Sequence, residues 1–361
     1  MSDKIKLSIL IPSFKCGGSE RFVSILCNNI NTNNFTVDLY VLNGETPFYQ
    51  ITNSAITVHL LCIKNVRKSL LPIVKMIKKH KPDILLSVSN HLNIFLCIFK
   101  FLFPKKMLLV ARETSIVSIN NKNSKYGKLY DAIVKRFYKN IDRIICQSAY
   151  MQNDLIKNYH IKKEKTIVIY NPVERPINNI LQQNKKDSLL LITVARLSPE
   201  KGIDRLLKAL TLLKSGFTFH IFGDGPDKNK LEDLTQQLGL EHKVVFEGQQ
   251  VHTYQNINAD LFLIGSYYEG LPNVLLEAGM LGLPVIGYNS PGGINEIISN
   301  GINGFLVDDD STGIAFSNAI RKAIDHNFNT ELIVEHTKEK FSVAKIITEL
   351  ENYFTGILPY A

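Results

Sequence analysis

The chain has 361 residues, enough for two domains of about 150 residues each with sizeable cores. Hydrophobic residues make up 45% and charged residues 21%, a balance that argues against long disordered tracts, and no low-complexity stretch or internal repeat stands out. The net charge of +9 is unevenly spread: residues 1–185 carry 28 Lys and Arg against 11 Asp and Glu, the remainder 14 against 22. A basic first half suits nucleic acid, anionic lipid or a phosphorylated substrate, and equally a merely solvated surface.

The opening segment, MSDKIKLSILIPSF, has neither the length nor the cleavage pattern of a signal peptide and reads as a first strand. Apolar runs that suit buried parallel strands then recur as VDLYVLN, DILLSVS, MLLVARE, RIICQS and TIVIYNP, separated by segments of helical period such as ERFVSILCNNI and SLLPIVKMIKKH. The longest apolar run, Ile94 to Phe103, contains Lys100 and stops at Pro104, well short of the ~20 residues that span a bilayer. It reads as a buried helix, or as a membrane-surface helix given the PKK that follows. Five scattered cysteines (Cys16, Cys27, Cys62, Cys97 and Cys146) show no CxxC or Cys/His ligand spacing, which suits a reducing cytoplasm and a protein without metal.

After the polar, proline-containing stretch YNPVERPINNILQQNKKD the alternation restarts. LLLITVAR, FTFHIFGDG, KVVFEGQ, ADLFLIGS and LPVIGYN read as strands; IDRLLKALTLLKSG, NKLEDLTQQLGL, LPNVLLEAGMLG and GINEIISNG read as helices. The expectation is two doubly wound α/β domains, residues 1–175 and 186–340, facing a central cleft at the carboxyl ends of their strands. Residues 341–361 place Ile346, Ile347, Leu350, Tyr353 and Phe354 on one helical face, which would pack back across the domains.

Several loops carry residues suited to an anionic ligand. In VARLSPEKG, Arg196 and Lys201 follow a strand and lead into a helix, where two cations five residues apart could clamp a diphosphate. Gly223 and Gly225 in FGDGPDK allow close backbone approach, as any strand-to-helix turn might require. Gly17 and Gly18 precede the first helix, where a phosphate could sit, although the GxGxxG fingerprint is absent. In EGLPNVLLEAG, Pro272 suits the first turn of a helix, so the N–H groups of Asn273, Val274 and Leu275 would face an anion. Glu269 and Glu277 flank that point, and carboxylates are good acceptors for sugar hydroxyls. A nucleotide diphosphate sugar has this layout.

These motifs in this order (GGxE near the N-terminus, VARLSPEKG, GDGP, EGLPNVLLEAG and PGGINEIISNGINGFLV) resemble the retaining GT-B glycosyltransferases of family 4, across nearly the whole chain. The resemblance implies that Glu269, Arg196 and Lys201 act in catalysis, the two cations binding the donor diphosphate and Glu269 the donor sugar, with Glu277 holding the ribose. The backbone from Gly270 through Leu271 and Pro272 to Leu275 would contact sugar and phosphates, with Gly17 and Gly18 beneath the diphosphate and Gly223 near the donor. Gly292, Gly293 and Glu296 would lie near the nucleotide. Where many relatives have His, ARETS has Thr114 after Glu113; His91 is the substitute considered, and all three are candidate sugar or acceptor contacts.

The implied chemistry is sugar transfer with retention and without a metal or other cofactor, by front-side attack rather than through a glutamate nucleophile. A retaining-glycosidase mechanism would need two carboxylates about 5 to 5.5 Å apart. The expected partners are a nucleotide-sugar donor, UDP-linked in preference to GDP-linked, a lipid-diphosphate-linked sugar acceptor, and an anionic membrane surface. The role expected is bacterial surface-polysaccharide synthesis by a cytoplasmic, peripherally bound enzyme. A nucleotide-sugar epimerase of the same fold, a nucleic-acid-binding protein and a non-catalytic sugar-binding module are the alternatives. Nucleic acid is disfavoured because the basic half lacks the aromatic and basic interleaving of a stacking platform.

Overall fold

The computed structural model describes residues 4–15, 17–44, 48–174, 188–250 and 258–358. The chain divides into two compact units, Met1–Pro172 together with Val343–Ala361, and Val173–Ser342. The chain therefore passes between the units at Pro172/Val173, near the start of the polar stretch, and again at Ser342/Val343. The two crossing segments run side by side: Val173 bridges Ser342, and its N–H donates to the Phe341 carbonyl at 2.9 Å. Most of the polar stretch expected to link the domains, 175–187, lies outside the described residues.

In the first unit strands and helices alternate as β1 (Ile5–Ile11), α1 (Gly18–Asn29), β2 (Phe35–Val41), β3 (Thr57–Leu60), α2 (Leu70–His80), β4 (Ile84–Ser87), α3 (Asn90–Ile98), β5 (Leu108–Arg112), α4 (Val117–Asn123), α5 (Gly127–Phe137), β6 (Arg143–Cys146), α6 (Ala149–Tyr159) and β7 (Thr166–Val168). The strands are all parallel, in the order β3-β2-β1-β4-β5-β6-β7. Continuous apolar runs make this possible, because helices cover both faces of a parallel sheet: Ile9, Leu10 and Ile11 are all fully buried. Edge strand β3 went unread because only one of its four residues, His59, is even half-buried, leaving no apolar run.

The apolar run at 94–103 breaks in two. Its first half belongs to α3, with Leu96 and Cys97 buried, whereas a short 3₁₀ turn at Lys100–Leu102 leaves Phe101 78% exposed.

The second unit repeats the plan with β8 (Leu189–Val194), α7 (Ile203–Leu210), β9 (Phe217–Phe222), α8 (Lys228–Gln237), β10 (Val244–Gly248), β11 (Leu261–Ile264), α9 (Asn273–Met280), β12 (Val285–Tyr288), α10 (Ile294–Ile297), β13 (Gly304–Val307), α11 (Ile314–Asp325) and α12 (Thr330–Phe341). Its parallel sheet runs β10-β9-β8-β11-β12-β13. The expected helix in GINEIISNG shrinks to the single turn of α10, and the apolar end of the same motif forms edge strand β13.

The last helix, α13 (Val343–Gly356), belongs to the first unit. Ile346, Ile347, Leu350 and Phe354 enter that unit's core, Tyr353 packs against its margin, and Phe354 meets Phe35 edge to face at 6.4 Å. Because Phe354 is fully buried, Phe354→Ala removes both its transfer energy and its packing. Urea unfolding of the variant should show a loss of about 3–5 kcal/mol in the transition of the first unit.

Candidate functional site

Each sheet reverses its strand order once, between β1 and β4 and between β8 and β11. At such a point two loops leave neighbouring strands in opposite directions and open a crevice, which is where doubly wound sheets take ligands. In the second unit these loops carry Arg196–Lys201 after β8 and Gly265–Pro272 after β11. Glycine lets them touch: Gly202 has φ +57°, and a Cβ there would collide with the Gly265 carbonyl.

The contact brings two predicted residues together. Lys201 Nζ lies 2.6 Å from Glu269 Oε1, and Ser266 Oγ donates to the same oxygen at 2.7 Å. The lysine is 24% and the glutamate 14% exposed, so the pair is only partly screened by water. Both donors use Oε1, which leaves Oε2 without a hydrogen-bond partner among the described residues.

The Glu269 backbone is held as firmly. Its N–H donates to the Pro291 carbonyl at 3.0 Å, and its own carbonyl accepts from Gly293 N–H at 3.3 Å. Gly292, at φ +121°, passes so close that a Cβ would strike the Glu269 carbonyl. The PGG motif thus braces the EGLP motif.

Sequence reading missed Arg205, which supports the same loop from α7. This buried guanidinium donates to the carbonyls of Gly265 (2.6 Å) and Ser266, to Ser290 Oγ at 3.0 Å, and pairs with Asp309 at 2.8 Å. It also lies over the rings of Tyr267 at 4.2 Å and Tyr288 at 3.8 Å. An arginine beside apolar positions of helical period has no sequence signature that would mark it.

The remaining predicted residues of this unit fall nearby or take other tasks. Arg196 is exposed; its carbonyl accepts from Ser198 N–H at 2.9 Å, whereas its guanidinium makes no hydrogen bond or ion pair among the described residues. Gly223 and Gly225 approach not open space but the loop before them, where a Cβ would meet the Ala195 or Leu197 carbonyl. They fix the shape of the segment carrying Arg196, as the Leu197 N–H to Asp224 carbonyl bond of 2.9 Å also does. Pro272 stands at the cap of α9 rather than in its first turn, and Leu275 N–H donates back to the Pro272 carbonyl at 3.1 Å. That N–H is not available to an anion as expected; Asn273 and Val274 open the helix. Glu277 is half-buried on α9 with contacts of its own.

In the first unit Gly17 and Gly18 start α1 beyond β1, and the Glu20 side chain folds back over Gly17 with a 3.3 Å hydrogen bond from Ser13. His91 is exposed at the start of α3, and its neighbour Asn90 accepts from Thr114 Oγ1 at 2.9 Å. Glu113 corrects the expectation of a sugar or acceptor contact. Its carboxyl is fully buried, with Oε1 accepting from Asn93 Nδ2 at 2.9 Å and the Tyr138 hydroxyl at 3.1 Å. It follows the last residue of β5, where Ala111, Arg112 and Glu113 are buried in succession, and precedes the half-buried Thr114.

Two doubly wound parallel sheets of this topology, one with a cation–carboxylate pair at its switch point, match the GT-B glycosyltransferase fold. The profile described as Glycosyltransferase Family 4 matches residues 16–175, and that described as Glycosyl transferases group 1 matches residues 176–340. The chain belongs to this glycosyltransferase family. It is 27% identical, over 97% of its length and 100% of the relative's, to the N-acetylgalactosamine-N,N'-diacetylbacillosaminyl-diphospho-undecaprenol 4-alpha-N-acetylgalactosaminyltransferase of Campylobacter jejuni. An uncharacterized glycosyltransferase of Methanocaldococcus jannaschii is 32% identical over 64% of this chain and 61% of its own. The crystal structure of Anabaena HepE in complex with UDP superposes with a TM-score of 0.78 over 98% of this chain and 100% of that one, at 21% identity.

Burial pushes the Glu113 carboxyl up to about 7, against donors that lower it. A raised value means the fold holds the proton more tightly than the unfolded chain does. The stability this confers is complete below the ordinary carboxyl range and is lost as pH rises to about 7. Thermal unfolding of Glu113→Gln, which keeps the acceptor and cannot ionise, should lack this loss and should exceed the parent at pH 8 by up to about 3 kcal/mol, with little difference at pH 4.5.

Proposed function

We propose that the protein transfers a hexose or N-acetylhexosamine from a nucleotide diphosphate sugar, UDP-linked in preference, to a sugar hydroxyl of a lipid-diphosphate-linked glycan in cell-surface polysaccharide synthesis. The observation that carries the donor half of this reading is the Glu269 carboxylate. It is braced by Lys201 and Ser266 through one oxygen while the other is left to accept a hydroxyl. A sugar hydroxyl on Oε2 would place the anomeric carbon beside the two cations.

Lys201 has three donors, so it can hold Glu269 and a phosphate oxygen together. Arg196, exposed and uncommitted, would take the diphosphate as a fork, and the first turn of α9 would add its dipole. These groups would stabilise the leaving diphosphate with no reorganisation at the moment of reaction. Glu277 would hold the ribose. Transfer would proceed with retention by front-side attack, the leaving phosphate oxygen taking the acceptor proton, and without a metal. Lys201 bonded to Glu269 favours a binding role for that carboxylate over a nucleophilic one.

The acceptor half rests on the first unit and on the name of the Campylobacter relative, which acts on a diphospho-undecaprenol glycan. A groove of about 720 Å³ between α3 and α5 is lined by Val66, Ile94, Phe95, Ile98, Leu129 and Ile133, with Arg67 and Lys68 beside them. Leu71 nearby in sequence is 72% exposed. Apolar side chains rimmed by cations suit a lipid chain with an anionic head, and they favour peripheral docking on the cytoplasmic membrane face. No helix among the described residues is long and apolar enough to cross a membrane.

Binding and slow hydrolysis of UDP-, GDP- and ADP-sugars by the purified protein test the donor reading. One donor class should bind and release free sugar, and Glu269→Ala and Arg196→Ala should each lower hydrolysis about 10²-fold or more. Failure of every donor to bind would overturn the reading, and an epimerised nucleotide sugar as sole product would replace transfer by epimerisation.

A further inference from the structure

We propose that Asp38, His59 and His80, at the edge of the first sheet and apart from every residue assigned above, form a binding site for a divalent transition-metal ion of the Zn²⁺ class. The three side chains come from three elements, β2, the edge strand β3 and the C-terminal end of α2. His59 Nε2 lies 2.8 Å from Asp38 Oδ1, and His80 Nδ1 lies 3.8 Å from Asp38 Oδ2. One ligand atom from each residue falls within 4.8 Å of the other two. Two imidazole nitrogens and one carboxylate oxygen form a donor set that zinc and its neighbours accept, with a fourth position left for water.

The surroundings hold the imidazoles for this purpose. Tyr40 and His59 are register partners on adjacent strands, and their rings stack at 4.5 Å with 8° between planes. The same tyrosine meets His80 edge-on at 5.7 Å, and the two imidazoles lie 5.3 Å apart at 70°. Asp38 and Tyr40, two residues apart on one strand, face the same side of the sheet. Each of the three candidate ligands is 21–28% exposed, so an ion can reach them from solvent without local unfolding.

An ion there would tie β3 to the end of α2. Edge strand β3 is held by backbone pairing to β2 on one side alone, and three of its four residues are exposed. The expected consequence is a metal-dependent stiffening of this edge, with no part in sugar transfer.

Co²⁺ and Zn²⁺ titrations of the metal-stripped full chain test the site. The wild-type protein should take one equivalent of Co²⁺ with d–d absorption but without the near-ultraviolet sulfur-to-cobalt band, and Zn²⁺ should displace it. His59→Ala and His80→Gln should each weaken binding by about tenfold or more. Cys62→Ser, which removes the exposed thiol after β3, and His242→Ala, at an exposed imidazole elsewhere, should leave it unchanged. His80→Gln sits at a helix end and is expected to fold, so its loss of binding reports the ligand rather than the fold. Absence of a bound equivalent in the wild type, or wild-type affinity retained in both histidine variants, would overturn the proposal.

Discussion

The candidate site depends on backbone meeting backbone where no Cβ could fit. Gly202 against Gly265 brings the loop after β8 onto the loop after β11, and Gly292 against Glu269 presses the PGG turn onto the same place. These approaches, rather than any single strong bond, decide where Lys201 and Glu269 meet. Arg205 then ties the carbonyls of Gly265 and Ser266 from beneath, so the carboxylate sits on a scaffold with little freedom to shift. Rigid support of this kind matters for transfer chemistry, since stabilising a leaving diphosphate requires charges already in place.

The fold was largely legible because buried parallel strands read as apolar runs and their crossover helices as periodic ones. What escaped lay at the edges. Strand β3 has no buried face to write an apolar run, and β13 begins at Gly304, whose φ of +155° and tight approach to the Val285 carbonyl belong to a bend as much as to a strand. The site was legible in its residue types but not in its pairings. Lys201 and Glu269 are separated by 68 positions, and only the β8–β11 adjacency joins them. Glu113 went the other way: the family resemblance around ARETS suggested a sugar or acceptor contact, whereas its buried carboxyl accepts from Asn93 and Tyr138.

The charge asymmetry fits a division of labour between the units. Of the 14 cations in the acidic second half, Arg196, Lys201 and Arg205 sit around one crevice and the loop beneath it. The basic first half carries 28 Lys and Arg and also exposes the large apolar side chains of Leu71 and Phe101, both in the first unit. Within that unit Arg112 is fully buried over the Phe22 ring, its pKa lowered to about 9 by burial, with Asn171 as its side-chain partner and two of its nitrogens without one. Such a costly arrangement marks the carboxyl end of β5 as a place where stability has yielded to another constraint.

The central claim is that Glu269 reads the donor sugar while Lys201 serves both the carboxylate and the diphosphate. Calorimetric affinities of Glu269→Gln for the intact donor and for its nucleoside diphosphate alone test this most directly. The account predicts that the advantage of the intact donor over the diphosphate falls by about tenfold, in line with loss of a charged hydrogen bond, while the diphosphate itself binds as well as before or better because Lys201 is released. Equal loss of both affinities, or no loss of either, would contradict it.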